Sequence, residues 1–401
     1  MQERVGIRRD NYKIFSKGTI ANLHLKNRIV RSATWDIPVT LTRHVPDEVV
    51  EYYRTITLGG AGLIITGDFP VTPDGPLSTN ITFGDVGVSG LEKIAEIVHK
   101  TDDRCRVIAQ LNTGYIGKAP SKRKSPFRKE LTPALAVEEI EIIIDCFARG
   151  VIKAKSLGYD GVQFHAAHGT LLCDFLSPYT NKREDDYGGT VRKRVKIIKE
   201  IVALARQDVG GFPIIIKANG TDYVEGGIDA DSFPEIASEI ECAGIDAIEV
   251  SGGRHDCLVR SEDELGFRPI PGAESHTRIS SPDKQSYFYA FTEKLGLSIP
   301  VILVGGNKDV EHLEKLLKKG KLDFMAMCRP LICEPDLPNR WLSGEGKSVA
   351  QCISCNSCIY DMYMNFINKH ARITRCLYKE NKEEYKNAQK WLSSWVENHK
   401  V

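Results

Sequence analysis

His165–Gly189 reads HAAHGTLLCDFLSPYTNKREDDYGG. Just ahead of it, Gly161–Phe164 is a short run that reads as a buried strand. The histidines His165 and His168 therefore stand where a strand gives way to a loop, the place where barrel and doubly wound enzymes carry their chemistry. Behind the polar segment NKREDDYGG comes an amphipathic run from Val191 to Ala205 with helical spacing. The stretch reads as one strand–loop–helix unit.

The unit recurs along the chain. Candidate strands are Arg28–Thr34, Gly62–Thr66, Arg106–Asn112, Gly161–His165, Pro213–Asn219, Ala247–Ser251, Pro300–Gly305 and Asp323–Cys328. Helical patterns lie between them at Pro46–Leu58, Gly90–Lys100, Val137–Leu157, Thr190–Arg206, Asp229–Ala243, Lys284–Leu295 and Asp309–Lys318. VILVGG and DFMAMC are nearly continuous apolar runs, as parallel strands covered on both faces require. Eight such strands point to a closed α/β (β/α)8 TIM barrel, since an open dinucleotide-binding sheet wants an early GxGxxG turn that the sequence lacks. Tyr12–Leu25 is expected to form a hairpin closing the barrel bottom. The expected division is a barrel over 1–345 and, over 346–401, a C-terminal extension carrying a tight cysteine cluster.

With 401 residues, 42% apolar and 27% charged, the chain is ordinary for a globular protein. A net charge of +1 gives no global field for nucleic acid or membrane. No apolar stretch approaches the ~20 residues that span a bilayer, and MQERVGIRRDNYKIF has no apolar segment behind its charges. Eleven cysteines without an export signal suggest free thiols or metal ligands in a reducing, cytoplasmic setting. Cys146, Cys173 and Cys242, among apolar neighbours, read as small core residues. The loop Lys118–Glu130, KAPSKRKSPFRKE, is read either as solvated or as a phosphate-recognition patch. Oligomeric state stays open.

In a parallel barrel the strand C-termini supply the active site. At those ends stand Ser32–Ala33–Thr34, Thr66–Gly67, Gln110, His165 and His168, Lys217, Ser251–Gly252–Gly253, Gly305–Gly306 and Cys328–Arg329. The set is mostly neutral hydrogen-bonding groups and glycines, with two cations. It contains no carboxylate pair for glycoside hydrolysis and no zinc triad. It suits a flat, polar, phosphorylated cofactor. Gly305–Gly306 let backbone amides approach a phosphate, and Arg329 adds a bidentate contact. Gln110 matches the pyrimidine edge of a flavin, and Lys217 would put a positive charge near its N1/O2 edge. Taken singly, each has a plainer reading: a glycine turn, an arginine paired with a surface carboxylate, a satisfied core histidine.

HxxHG followed by FLSPxTNxRxDxYGG resembles the old yellow enzyme family of FMN-dependent oxidoreductases, the NADH:flavin oxidoreductase / 2,4-dienoyl-CoA reductase-like FMN barrels. RSAT at 31–34, QLN at 110–112, VGG at 304–306 and RPLICEPDL at 329–337 match as well. The resemblance covers roughly Tyr12 to Glu345. It implies FMN held by Ser32, Ala33, Thr34, Gly67, Gln110, Lys217, Ser251, Gly252, Gly305, Gly306, Cys328 and Arg329, with NAD(P)H as reductant. It also implies that His165 and His168 donate to a substrate carbonyl or nitro oxygen, so that an activated alkene or similar small electrophile accepts hydride. Family members commonly place a tyrosine acid two residues after the second histidine. Here that position is Thr170, a poor acid, and Tyr115 is the candidate replacement. The QLxHxGR pattern is also broken, with Thr113 in place of its histidine.

CISCNSC supplies Cys352, Cys355 and Cys358, with Cys376 behind. Such a run can hold an iron–sulfur cluster, with a distant fourth thiolate. The 2,4-dienoyl-CoA reductase and trimethylamine dehydrogenase relatives carry a 4Fe-4S cluster in this setting, spaced CxxCxxxC. The second gap here is one residue short, so a 4Fe-4S cluster, zinc or no metal all stay open. The sequence ends at Val401, before the nucleotide-binding domains of the larger relatives, so electrons are expected from NAD(P)H directly or from a separate donor protein. Two rival functions remain: a Schiff-base lyase using Lys217, and a flavin or electron-transfer protein without turnover.

Overall fold

The computed structural model describes residues 7–34, 44–72, 89–114, 116–127, 129–370 and 372–398. Eight strands close into a barrel: β1 (Ile29–Arg31), β2 (Leu63–Pro70), β3 (Arg106–Asn112), β4 (Gly161–Ala166), β5 (Ile214–Asn219), β6 (Ala247–Ser251), β7 (Val301–Leu303) and β8 (Phe324–Met327). Every neighbouring pair is parallel, and β8 returns to β1 through Ala326↔Val30. All eight candidate strands thus fall in the barrel, with β3 and β6 matching their sequence runs, β2 and β4 longer and the other four shorter.

The lower interior is packed with side chains. Val30, Leu63, Ile65, Ile108, Ile215, Ile302 and Phe324 meet Ile20, Leu23 and Leu25 in one cluster. The last three come from the antiparallel hairpin Gly18–Ile20/Leu23–Leu25, which plugs the barrel bottom. A Cβ on Gly18 would lie 2.6 Å from the Phe324 ring, so only glycine lets the hairpin seat there. Burying each large aliphatic side chain stabilises by about 1.5–3 kcal/mol, which leaves the opposite, C-terminal mouth free for polar groups.

The helices α1 (Asp47–Leu58), α2 (Glu92–Thr101), α3 (Val137–Ser156), α4 (Val191–Val209), α5 (Phe233–Cys242) and α6 (Val310–Lys318) lie outside the strands. Their starts follow from local chemistry. Thr190 accepts from the Lys193 amide at the head of α4, and Asp309 accepts from the Glu311 amide at the head of α6.

Two expectations fail. Lys284–Leu295 is no α-helix but two short 3-10 turns, Pro282–Lys284 and Tyr289–Phe291. Ser286 between them takes φ 51° and donates its hydroxyl to Asn307 at 2.7 Å, which breaks the helical path. The break lets Tyr287 and Phe288 press on the glycine turn after β7. A Cβ on Gly305 would stand 2.6 Å from Phe288 and 2.8 Å from Tyr287. The apolar spacing that imitates a helix is set by that turn. Cys242 is exposed at the end of α5 rather than buried, whereas Cys146 and Cys173 are core.

After the barrel come α7 (Ser357–Ile367) and α8 (Lys382–Asn398). Tyr360 and Tyr363 of α7 pack on Trp391 of α8, with ring centroids 5.5 and 6.0 Å apart. Lys308 donates to the Cys352 carbonyl at 2.5 Å, and Asn356 donates to the Ser275 carbonyl at 2.6 Å, tying this segment to the barrel mouth. Among the described residues no helix is long and apolar enough to cross a membrane.

Candidate active site

At the C-terminal mouth of the barrel lies a cavity of about 420 Å3. Ser32, Ala33, Thr34, Gln110, His165, His168, Lys217, Ser251, Gly305, Gly306, Cys328 and Arg329 all line it. Gly67 and Gly252 do not. The Gly67 amide donates to the Tyr53 hydroxyl at 3.3 Å, and Gly252 gives room to Phe288, whose ring a Cβ would meet at 2.7 Å. Tyr115 lies outside the described residues.

Gln110, Ser32 and Lys217 at the cavity floor are joined through Gln163 and Glu249 behind them in a continuous buried hydrogen-bond chain. Gln110 donates to Gln163 at 2.7 Å, and Gln163 donates to Glu249 at 2.7 Å. Ser32 donates to the other Glu249 oxygen at 2.6 Å, and Lys217 donates to Ser32 at 2.9 Å. Lys217 and Glu249 sit opposite each other in the β5–β6 register and form an ion pair at 3.3 Å. Both are buried, Glu249 completely. Glu249 and Gln163 are residues that the strand-end reading missed; the signal was a carboxylate inside the apolar strand AIEVS. This setting also weighs against a Schiff-base role for Lys217, which wants an apolar pocket or another cation beside it rather than a carboxylate.

His165 is the penultimate residue of β4, and His168 follows in the loop with φ 60°. Their rings meet edge to face at 5.2 Å. The His168 amide donates to the Asn219 side chain at 3.1 Å, and its Nε2 pairs with the Ser251 hydroxyl at 2.7 Å. Burial, reinforced by Lys217, pushes the His165 pKa down to about 3. Burial drives His168 well below the usual imidazole range too, with His165 and Lys217 adding to the effect. Both rings are therefore neutral, each with one N–H to donate. His165 Nδ1 is buried without a hydrogen-bond partner among the described residues. The Thr170 hydroxyl donates to the carbonyls of His165 and Ala167, at 2.7 and 3.0 Å.

The histidine loop rests on buried charge. Arg254, fully buried, pairs with Asp174 at 2.7 Å and Asp256 at 3.0 Å, and its guanidinium lies 5.1 Å from the Tyr179 ring centroid. Arg123 of the basic loop turns inward to Asp256, and Lys118 pairs with Glu139. Lys122, Lys124 and Lys129 are exposed. The loop thus divides between a structural role and solvation.

The barrel has counterparts among known proteins. Residues 13–347 match the NADH:flavin oxidoreductase / NADH oxidase family. The chain belongs to that family.

A metal reductase of Desulforamulus reducens is 32% identical over 355 residues, covering 86% of this chain and 50% of that protein. The chain thus spans about half the length of that relative. A 2-naphthoyl-CoA reductase structure superposes with a TM-score of 0.79 at 25% identity, over 93% of this chain and 58% of the other. The old yellow enzyme homologue from Zymomonas mobilis shares the fold at a TM-score of 0.64 and 22% identity, over 85% of this chain and 99% of its own.

This NADH:flavin oxidoreductase family member has a second, smaller cavity beside the first. Cys352, Cys355, Cys358 and Cys376 line it together, with Arg329, Ile332 and Tyr378 among its other walls. Cys358, Arg329 and Ile332 line both cavities. Ser354 and Asn356, between the cysteines, take φ of 54° and 59°, left-handed backbone that non-glycine residues adopt at some cost. Among the described residues no three of His, Cys, Asp and Glu gather as a set for a single metal ion. The sequence reading missed Cys333, whose thiol hydrogen-bonds Cys376 and so holds the Cys376 thiol below its usual range.

His276 is sandwiched between Phe267 and Tyr287, with ring centroids 3.8 and 3.9 Å away, and its Nε2 is buried without a hydrogen-bond partner among the described residues. Burial, then Arg329, pushes its pKa down to about 3. In the unfolded chain it protonates near pH 6.5, so between about pH 3 and 6.5 the unfolded state binds the extra proton. Stability from this site is complete above pH 6.5 and falls as the pH drops, by up to about 1.4 kcal/mol per pH unit. His276→Phe keeps the stack and removes the titrating group. Urea unfolding should show the variant gaining on the wild type at pH 5 relative to pH 8; an equal difference at both values refutes the assignment.

Proposed function

We propose that the chain is an FMN-dependent NAD(P)H oxidoreductase of ene-reductase type, acting on an activated alkene or similar small electrophile. The observation that carries this reading is the pair of neutral imidazoles at the mouth of a cavity whose floor is Gln110, Lys217 and Ser32.

The residues present fit FMN. Gly305 and Gly306, at φ 105° and 74°, leave amides unobstructed for a phosphate, and buried Arg329 supplies a fixed positive charge beside them. Gln110 and Lys217 face the same space with donors suited to the pyrimidine edge. When bound, FMN supplies hydride transfer between a nicotinamide and an electrophilic carbon. The chain's own part is electrostatic. His165 and His168 donate to the substrate oxygen and hold the negative charge that develops there, while the Lys217–Glu249–Ser32 chain keeps one cation fixed at the floor.

The experiment is the visible spectrum of protein purified without oxygen, followed by NADH or NADPH and then an α,β-unsaturated ketone. Flavin bands that bleach with the nicotinamide and return with the ketone support the proposal. A colourless protein that cannot be reconstituted with FMN sinks it.

The cysteine cavity supports a 4Fe-4S cluster as a second group. Four thiols spread around a void suit a cluster better than one zinc ion, which draws its ligands to a single centre. Anaerobic protein should contain about four iron and four sulfide per chain, and Cys355→Ser should lower both sharply. Wild-type protein with zinc, or with neither metal nor sulfide, refutes this assignment and leaves the flavin reading standing.

A further inference from the structure

Reducing an alkene needs a proton as well as a hydride, and Thr170 cannot supply it. We propose that Asp68 is the proton donor, delivering its carboxyl proton to the substrate carbon next to the activating group. The inference rests on the ene-reductase reading above.

Asp68 stands at the C-terminal end of β2, opposite Gln110 in the β2–β3 register, and both line the cavity. Between Ile65 and Asp68 the register shifts, so Thr66 and Gly67 together oppose a single β3 residue. Such bulges re-aim the side chain that follows them, and they occur beside active sites. Asp68 is the residue that follows.

Its bonding sets it apart from the carboxylates held in ion pairs nearby. Glu249 is tied to Lys217, and Asp174 and Asp256 to Arg254. Asp68 has no ion pair among the described residues; its one side-chain hydrogen-bond partner there is Asn112, which donates to Oδ2 at 3.0 Å, and its own backbone amide adds a second bond. That amide steadies the anion left after proton transfer without drawing off the proton beforehand. Burial raises the Asp68 pKa, opposed by Asn112 and by the Lys217 charge.

The groups facing it are these. Asn112 comes from β3 and Lys217 from β5. The neutral His165 of β4 and His168 of the following loop line the same cavity, and Tyr53 of α1 reaches the adjoining Gly67 amide. Glu274 also lines the cavity and is raised by burial, opposed by Lys217 and by Arg329, and it bears on Tyr287 at the glycine-turn side.

The step balances. The carbon–carbon π bond breaks, and two C–H bonds form, one from flavin hydride and one from the Asp68 proton. The alkene is reduced, the flavin oxidised, and the carboxylate recovers its proton from water.

The test compares pre-reduced holoenzyme reoxidised by an α,β-unsaturated ketone with the same enzyme reoxidised by a quinone, which needs no proton on carbon. Asp68→Asn should lower the ketone-to-quinone rate ratio by about 10²–10³-fold. Asp68→Glu, which keeps the acid, should recover at least tenfold of that loss. The wild-type ketone rate should fall as pH rises through the raised carboxyl pKa, with a flat profile in Asp68→Asn. Infrared spectra recorded as the pH is lowered through the carboxyl titration should show a protonated-carboxyl band that Asp68→Asn removes.

An unchanged ratio in Asp68→Asn overturns the proposal, as does an unaltered carboxyl band. An equal or larger loss in Glu274→Gln reassigns the proton and overturns it too. A wild-type enzyme that turns over with quinone and with no alkene overturns instead the ene-reductase reading on which the inference rests.

Discussion

The double variant His165→Ala/His168→Ala should bind FMN and bleach with NAD(P)H, yet transfer hydride to an unsaturated ketone about 10³-fold or more slowly than wild type. Removing one donor to a developing oxyanion costs about 10²–10³ in rate, and here both donors go. The donors are fixed before substrate arrives. His168 is held at its amide by Asn219 and at Nε2 by Ser251, on a loop braced by the Arg254–Asp174 pair. Little reorganisation is therefore needed as charge forms. Because His165 is pushed down to about 3 and His168 also lies well below its usual value, neither should titrate between pH 5 and 8. A bend near pH 6.5 in the ketone rate that the double variant abolishes would refute the neutral-donor account. A double variant as fast as wild type would leave the chain an electron-transfer protein.

Much of this was legible in the sequence because the barrel's geometry is periodic. Each apolar run had to be a strand covered on both faces, and each strand end pointed to the cavity, so Gln110, His165, Lys217 and Arg329 could be placed together before any coordinates. What escaped was whatever depends on contacts between strands. Glu249 sits mid-strand, and its meaning comes from lying opposite Lys217 across β5–β6. Asp68 escaped for a related reason: the β2 run was ended at Thr66, and only the register shift carries the strand on and turns the carboxyl toward the mouth. The false helix over Lys284–Leu295 marks the same limit. Tyr287 and Phe288 are spaced for a turn that no local pattern announces, since its determinants, Gly305, Gly306 and Asn307, lie about twenty residues away. Cys333 was hidden inside a motif whose family match drew attention to Arg329.

Glu249→Leu should be the most damaging single change to stability, by about 3–5 kcal/mol, because it leaves a buried lysine without its counter-charge. It also takes the acceptor from Ser32 and Gln163, and each orphaned donor costs about 1–3 kcal/mol. The penalties overlap, since all three donors converge on one carboxylate and can partly re-pair. Urea unfolding at pH 7 measures the total. Glu249→Leu with Lys217→Met separates stability from function. A buried ion pair replaced by apolar side chains of similar volume is often neutral or stabilising, by up to about 4 kcal/mol. The double variant should therefore regain most of the stability that Glu249→Leu loses. It should not regain flavin, because the fixed cation at the cavity floor is gone. If it stays as unstable as Glu249→Leu, the pair is not what makes Glu249 necessary, and the Ser32 and Gln163 bonds carry the effect. If it is stable and holds FMN as tightly as wild type, Lys217 has no part in binding the cofactor, and the Lys217–Glu249 pair is structural alone.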